Sequence, residues 1–171
     1  TTTATDACGN TSTCSFTVTV TDNTPPSISS CAATRNIEGC GTPAITLPAY
    51  SATLATSSLS EFTSTPNNAV ASDNCAITTV KYRDVATGIC PTVVTRTWIV
   101  SDAAGNSSSC VQTINVTDMT APTLNCPVNV TVNQTQEKDP FATGTATATT
   151  LSCSGTATIR YSDSRENTAC N

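Results

Sequence analysis

Histidine is absent from the 171 residues, and only 7 of them are Lys or Arg. Without an imidazole, no Ser-His or Cys-His nucleophile pair can be assembled, and no histidine-based metal cluster. The scarcity of cations excludes a basic stripe able to neutralise phosphates, which argues against nucleic acid as a partner. Twelve Asp and Glu leave a net charge of −5, but they are spread along the chain, so no segment concentrates paired carboxylates. No glycine-rich phosphate loop occurs either, and the chain reads as a non-enzyme. No apolar run reaches membrane-spanning length. Large apolar side chains are few: Trp98, three Tyr, three Phe and Met119. Cores built from so little material are thin and need a second source of stability.

The residues present suggest what that source is. The chain carries 37 Thr and 19 Ser, a polar and β-branched composition suited to pleated strands with one solvated face. Ten cysteines without any Cys-x-x-Cys pair read as disulfides rather than metal ligands, which places the protein in an oxidising, extracellular or cell-surface compartment. Thr1 opens the sequence without Met or a signal peptide, so export would be encoded upstream or trimmed away.

An internal repeat organises the chain. Asp6 to Pro26 (DACGNTSTCSFTVTVTDNTPP) aligns without a gap on Asp102 to Pro122 (DAAGNSSSCVQTINVTDMTAP). A second match carries Asp73-Asn74-Cys75, Lys81-Tyr82-Arg83-Asp84 and Cys90 onto Cys153, Arg160-Tyr161-Ser162-Asp163 and Cys170. The repeat is about one small domain long. Phe16, Val18 and Val20, like Ile114 and Val116, alternate with polar residues and predict a strand with one buried face. Gly9-Asn10 and Gly105-Asn106 predict hairpin turns before those strands. The following Thr-Asp-x-Thr-x-Pro is a linker, where proline ends the ladder and stiffens the join.

These segments resemble hyalin-repeat (HYR) domains. The resemblance rests on Pro25-Pro26-Ser27-Ile28 with Cys31, on Ala121-Pro122-Thr123-Leu124-Asn125-Cys126-Pro127, on Ser72-Asp73-Asn74-Cys75, on Thr95-Arg96-Thr97-Trp98, and on the two Asp-x-x-Gly-Asn hairpins with Cys14 and Cys110. It covers nearly the whole chain. It implies an all-β architecture of tandem immunoglobulin-like β-sandwich modules and a role in adhesion or scaffolding, with no catalytic residues. Ala104 departs from the pattern where the first hairpin has Cys8, and Ser51 to Ser72 reads as an insertion. On this basis residues 1–23 form the closing hairpin of a preceding or neighbouring-chain module, 24–118 a complete module with an insertion at about 51–72, and 119–171 the opening part of the next. Val128-Val130-Val132 and Ala157-Ile159-Tyr161 are the strands expected of that last part.

In a sandwich of this kind Cys31, Cys75 and Cys110 should lie at one end, and Cys40 and Cys90 near the other. The pairs expected are Cys31 with Cys110 and Cys40 with Cys90, then Cys126 with Cys14 and Cys153 with Cys8 in a completed module. Cys75 and Cys170 stay unassigned, and Cys8 with Cys14 or Cys75 with Cys90 are open alternatives. Five Asn-x-Ser/Thr sequons begin at Asn10, Asn106, Asn115, Asn129 and Asn133. Alternation with apolar neighbours points Asn115, Asn129 and Asn133 to solvent, where they serve either as glycan acceptors or as a plain polar face. Asp6, Asp22, Asp73, Asp102 and Asp118 fall at hairpins and junctions. Their ordinary role there is to accept backbone hydrogen bonds; the alternative is to supply oxygen ligands to calcium and rigidify an array. Trp98 is read as a core anchor.

Half-sandwiches at both ends would expose apolar faces and open strand edges. The function expected is therefore that of a structural repeat unit in an extracellular fibril or stalk. Copies join head-to-tail, through completion of one module by another chain or through continuous tandem repeats. The alternatives are an adhesin whose inserted segment binds a glycan or protein, and an accessory module of a larger enzyme.

Overall fold

The computed structural model describes residues 1–131, 143–150 and 155–162. It is mostly β, and the expected all-β class holds. The dominant element is a five-stranded sheet in the order β4-β9-β8-β7-β5. Its strands are β4 (Arg35–Glu38), β5 (Ala55–Ser57), β7 (Ile77–Thr87), β8 (Thr92–Asp102) and β9 (Ser107–Thr117). All neighbours in it are antiparallel except β4 and β9, which run parallel with Arg35 beside Ile114. A two-stranded sheet of β3 (Ser27–Ser30) and β6 (Val70–Ser72) accompanies it.

The long strands alternate strictly. Even-numbered residues of β8 from Thr92 to Asp102 are buried, as are Val80, Tyr82 and Asp84 of β7 and Gln112, Ile114 and Val116 of β9. A period of two is the side-chain repeat of a pleated strand, so one face of the sheet takes all of these residues. Two small apolar clusters cover it. In one, Trp98, Tyr82, Val80 and Val100 pack with Phe62, Ala32 and Ala69, and with Ile28 of β3 and Ala71 of β6. In the other, Val94, Ile114 and Val116 pack with Ile45. The scarcity of aromatics thus becomes two thin clusters with a polar group between them.

That polar group is an ion pair. Arg96 lies opposite Asp84 across the β7–β8 ladder. Its Nε donates to Oδ1 at 2.7 Å and its Nη2 to Oδ2 at 2.8 Å, with neither side chain exposed. The guanidinium stacks over the Tyr82 ring at 4.4 Å, and Nη2 also donates to the Pro48 and Ala49 carbonyls. Gln112, buried beside it, accepts from Trp98 Nε1 at 3.0 Å and donates to Ala33 O and Asn67 Oδ1. Trp98 is the anchor expected of it, with Phe62 and Tyr82 rings 4.9 and 5.4 Å away.

The segment 51–72, read as an insertion, is built into the fold. It contains β5, the short helix α1 (Leu59–Thr63) and β6. Ser58 caps α1 by accepting from the Glu61 N–H, and the helix delivers Phe62, fully buried, onto Trp98.

The ends differ from the centre. β1 (Thr2–Thr5) and β2 (Thr11–Cys14) form a separate hairpin. Its register, Thr2 beside Cys14 and Thr5 beside Thr11, reproduces that of Trp98 beside Cys110 and Ser101 beside Ser107 in the β8–β9 hairpin. Gly9 (φ 86°) and Gly105 (φ 94°) take the positive-φ position of the two turns, where a Cβ would be strained. Likewise β10 (Thr123–Asn125) pairs antiparallel with β11 (Thr147–Thr149), as β3 pairs with β6.

The expected strand through Phe16, Val18 and Val20 does not form: residues 15–26 carry no strand, and all three side chains are exposed. Nor do Val128 and Val130, or Ala157, Ile159 and Tyr161, lie in strands. The physical reason is the same at both ends. A strand is held by ladder partners and by an opposing apolar face, and among the described residues neither lies beside these segments. Val132 lies outside the described residues.

Candidate functional site

Three of the five junction aspartates come together. Asp22 sits in the linker before β3, Asp73 in the turn after β6, and Asp102 at the end of β8. One carboxylate oxygen from each lies within 4.8 Å of the others. Each of the three also serves its local turn. Asp22 Oδ1 accepts from the Thr24 N–H at 3.0 Å. Asp73 Oδ2 accepts from the Cys75 and Ala76 N–H groups at 2.9 and 3.0 Å. Asp102 Oδ1 accepts from the Asn106 N–H at 2.8 Å, and its Oδ2 from Asn106 Nδ2 at 2.7 Å.

The turn role leaves one oxygen over on two of these side chains. Asp22 Oδ2 and Asp73 Oδ1 are buried with no hydrogen-bond partner. Asp102 is itself 4% exposed. Side-chain amides hold the linker in place. Asn106 Nδ2 donates to the Asp22 carbonyl at 3.1 Å, and Asn74 Nδ2 to Asp22 Oδ1 at 3.2 Å.

The electrostatics are those of a crowded anionic pocket. Hydrogen bonds from the Thr24 N–H and then from Asn74 hold the Asp22 carboxyl below its ordinary value. The Cys75 thiol is pushed up by a hydrogen bond to Asp22, then by desolvation and the charges of Asp22, Asp73 and Asp102. Among the described residues the one ion pair joins Arg96 to Asp84, so no cation balances the trio.

The other two candidates serve turns elsewhere. Asp6 Oδ1 accepts from the Cys8 and Asn10 N–H groups in the β1–β2 hairpin, and Asp118 Oδ1 accepts from the Thr120 N–H. Neither belongs to the cluster. The sequence placed all five at turns, but which of them converge depends on the packing of three distant segments.

Cys31 and Cys110 are bonded, with Cα atoms 5.8 Å apart, tying the end of β3 to β9 beneath Trp98. The expected Cys40–Cys90 pair does not form. Cys40 is disulfide-bonded to a partner outside the described residues, and Cys90 is free and exposed. Cys8, Cys14, Cys75 and Cys126 are likewise free, so neither Cys8–Cys14 nor Cys75–Cys90 forms, and the Cys126–Cys14 pair is not made within one chain. Cys153 and Cys170 lie outside the described residues.

The sequons differ in how accessible their amides are. Asn106 uses the nitrogen a glycan would occupy to hold Asp102 and Asp22. Asn10 Nδ2 donates to Asp6, and half-buried Asn115 donates to Asn36 of β4. Asn129 is exposed, and Asn133 lies outside the described residues.

No described helix is long and apolar enough to cross a membrane. No family model matches the chain, and neither the curated proteins nor the solved structures contain a match.

Proposed function

We propose that the chain is the structural repeat unit of an extracellular fibril or cell-surface stalk. Copies join head-to-tail, by module completion between chains or as continuous tandem repeats of immunoglobulin-like, HYR-like modules. One comparison carries the reading. Ile114 and Val116 of β9 are 0% and 1% exposed, while Val18 and Val20, at the matching positions of the repeat, are 72% and 91% exposed. The same apolar pattern is core in one place and open to water in the other.

The matched hairpin registers support this, because β1–β2 already has the pairing of the β8–β9 tip and lacks only the rest of a sheet. Exposed Val128, Val130, Ile159 and Tyr161 at the other end offer apolar surface of the kind such a hairpin would cover. A contact between unlike ends does not close on itself and propagates. The disulfide and the absence of a membrane-crossing helix among the described residues are compatible with a secreted protein.

Electron microscopy of the native assembly tests the proposal: an axial repeat of one or two modules is expected. In the purified chain, Val18→Asp with Val20→Asp should abolish filaments while leaving the melting of the central sheet unchanged. Monodisperse monomers of the parent chain at high concentration, with no native filament, would overturn it.

A further inference from the structure

The junction aspartates have a use that their turns leave unfilled. We propose that Asp22, Asp73 and Asp102 form a calcium site that fastens the linker to the central sheet body.

Two independent observations carry this. The first is convergence: carboxylate oxygens from three segments far apart in sequence lie within 4.8 Å of one another. The second is the state of those oxygens. Asp22 Oδ2 and Asp73 Oδ1 are enclosed and accept nothing, although an enclosed carboxylate oxygen with no donor is strongly unfavourable. A hydrogen-bond donor from the protein would have answered one such atom; a cation answers both and relieves the mutual repulsion as well. Asp102 supplies the third carboxylate from a residue that is 4% exposed and locked by Asn106.

The donor set selects the ion. Three carboxylates and no imidazole or thiolate suit a hard cation, and backbone carbonyls or water can complete the six to eight oxygens that calcium takes. Magnesium demands stricter octahedral geometry and gives up its water reluctantly, so it is the poorer fit.

Position gives the site its consequence. Asp22 belongs to the Thr-Asp-Asn-Thr-Pro-Pro linker, whereas Asp73 and Asp102 belong to the sheet body, so binding adds an ionic tie to a linker that Asn74 and Asn106 already hold against that body. The repeat also sets the stoichiometry. Asp118 and Asp6 match Asp22 and Asp102 in the other half of the repeat, but the residue two before Cys153, matching Asp73, is Leu151. One site per chain follows. This inference stands whether or not the chain assembles.

The test is a calcium titration of the intact chain in metal-free buffer, read by backbone amide NMR shifts and hydrogen exchange. Saturable shifts at residues 20–24, 73–76 and 102–106 are expected, with a Kd of about 0.1–1 mM and about one ion per chain. Exchange at residues 20–24 should slow on binding, and magnesium should not substitute. Asp22→Asn, which changes a linker residue outside the sheet, should weaken binding at least about tenfold, as should Asp73→Asn. Asp6→Asn should bind like the parent. No saturable response up to about 10 mM calcium, well above the extracellular range, would overturn the proposal. So would titration of Asp22→Asn and Asp73→Asn at the parent affinity.

Discussion

Replacing Asp84 by Asn tests what the centre of the sheet depends on. The substitution keeps the shape of the side chain but removes its charge, leaving the Arg96 guanidinium buried without a counter-ion. Arg96 has little to fall back on. Its Nη1 is already buried without a partner, and the Pro48 and Ala49 carbonyls at 3.1 Å are its other acceptors. Asp84 Oδ2 also accepts from the Ser51 N–H at 3.0 Å, so the segment leading to β5 loosens too.

Breaking a buried pair on one side costs about 3–5 kcal/mol, a large share of the roughly 5–15 kcal/mol that holds a domain folded. At about 2–4 °C per kcal/mol for a chain of this length, the melting midpoint should fall by at least about 6 °C. Thermal and urea unfolding under non-reducing conditions measure this. Arg83→Ala, one residue away on the exposed face, serves as the control and should stay within about 0.5 kcal/mol. Asp84→Leu combined with Arg96→Met should recover most of the loss, since apolar replacements of buried pairs are often neutral. A loss below about 1 kcal/mol for Asp84→Asn, the value of a surface pair, would refute the reasoning.

Cys31→Ser with Cys110→Ser opens a loop of 79 residues in sequence separation, which by chain entropy should lower stability by about 4.5 kcal/mol; denaturant unfolding of the double variant checks this. Phe62→Ala empties the contact between α1 and Trp98 and should cost about 3–5 kcal/mol, with faster proteolysis within residues 58–69. The Asp6 carboxyl is held low chiefly by the Asn10 side chain, and Asp22 by the Thr24 N–H. Both carboxyls are depressed in the folded chain, so their contribution is fully present above the ordinary value of 3.8 and is lost as pH falls through the lowered folded values. Carboxyl NMR titration without calcium should therefore place both midpoints below 3.8; midpoints at or above it would contradict the turn geometry.

Much of this protein was legible in the sequence because it is local. Alternation fixes which side chains of β8 and β9 share a face, and Gly-Asn after Asp fixes two hairpins whose turns close through the aspartate's own carboxylate. Cysteine count and the scarcity of aromatics anticipated thin clusters backed by a disulfide. The repeat was visible as residue identities at a constant offset.

What tertiary structure decided is everything that depends on a distant partner. The pattern of Val18 and Val20 reads like that of Ile114 and Val116, yet only the second pair lies between β8 and β4, because a strand needs neighbours that its own residues cannot specify. Cys40 is disulfide-bonded while Cys90 is free, a choice that the order of cysteines along the chain does not make. The segment read as an insertion, Ser51 to Ser72, supplies Phe62 to the core, a contact with Trp98 that no local pattern announces. Five aspartates looked equivalent along the chain, and the fold brought together three of them, since convergence of residues 22, 73 and 102 is a property of packed segments and not of any stretch of sequence.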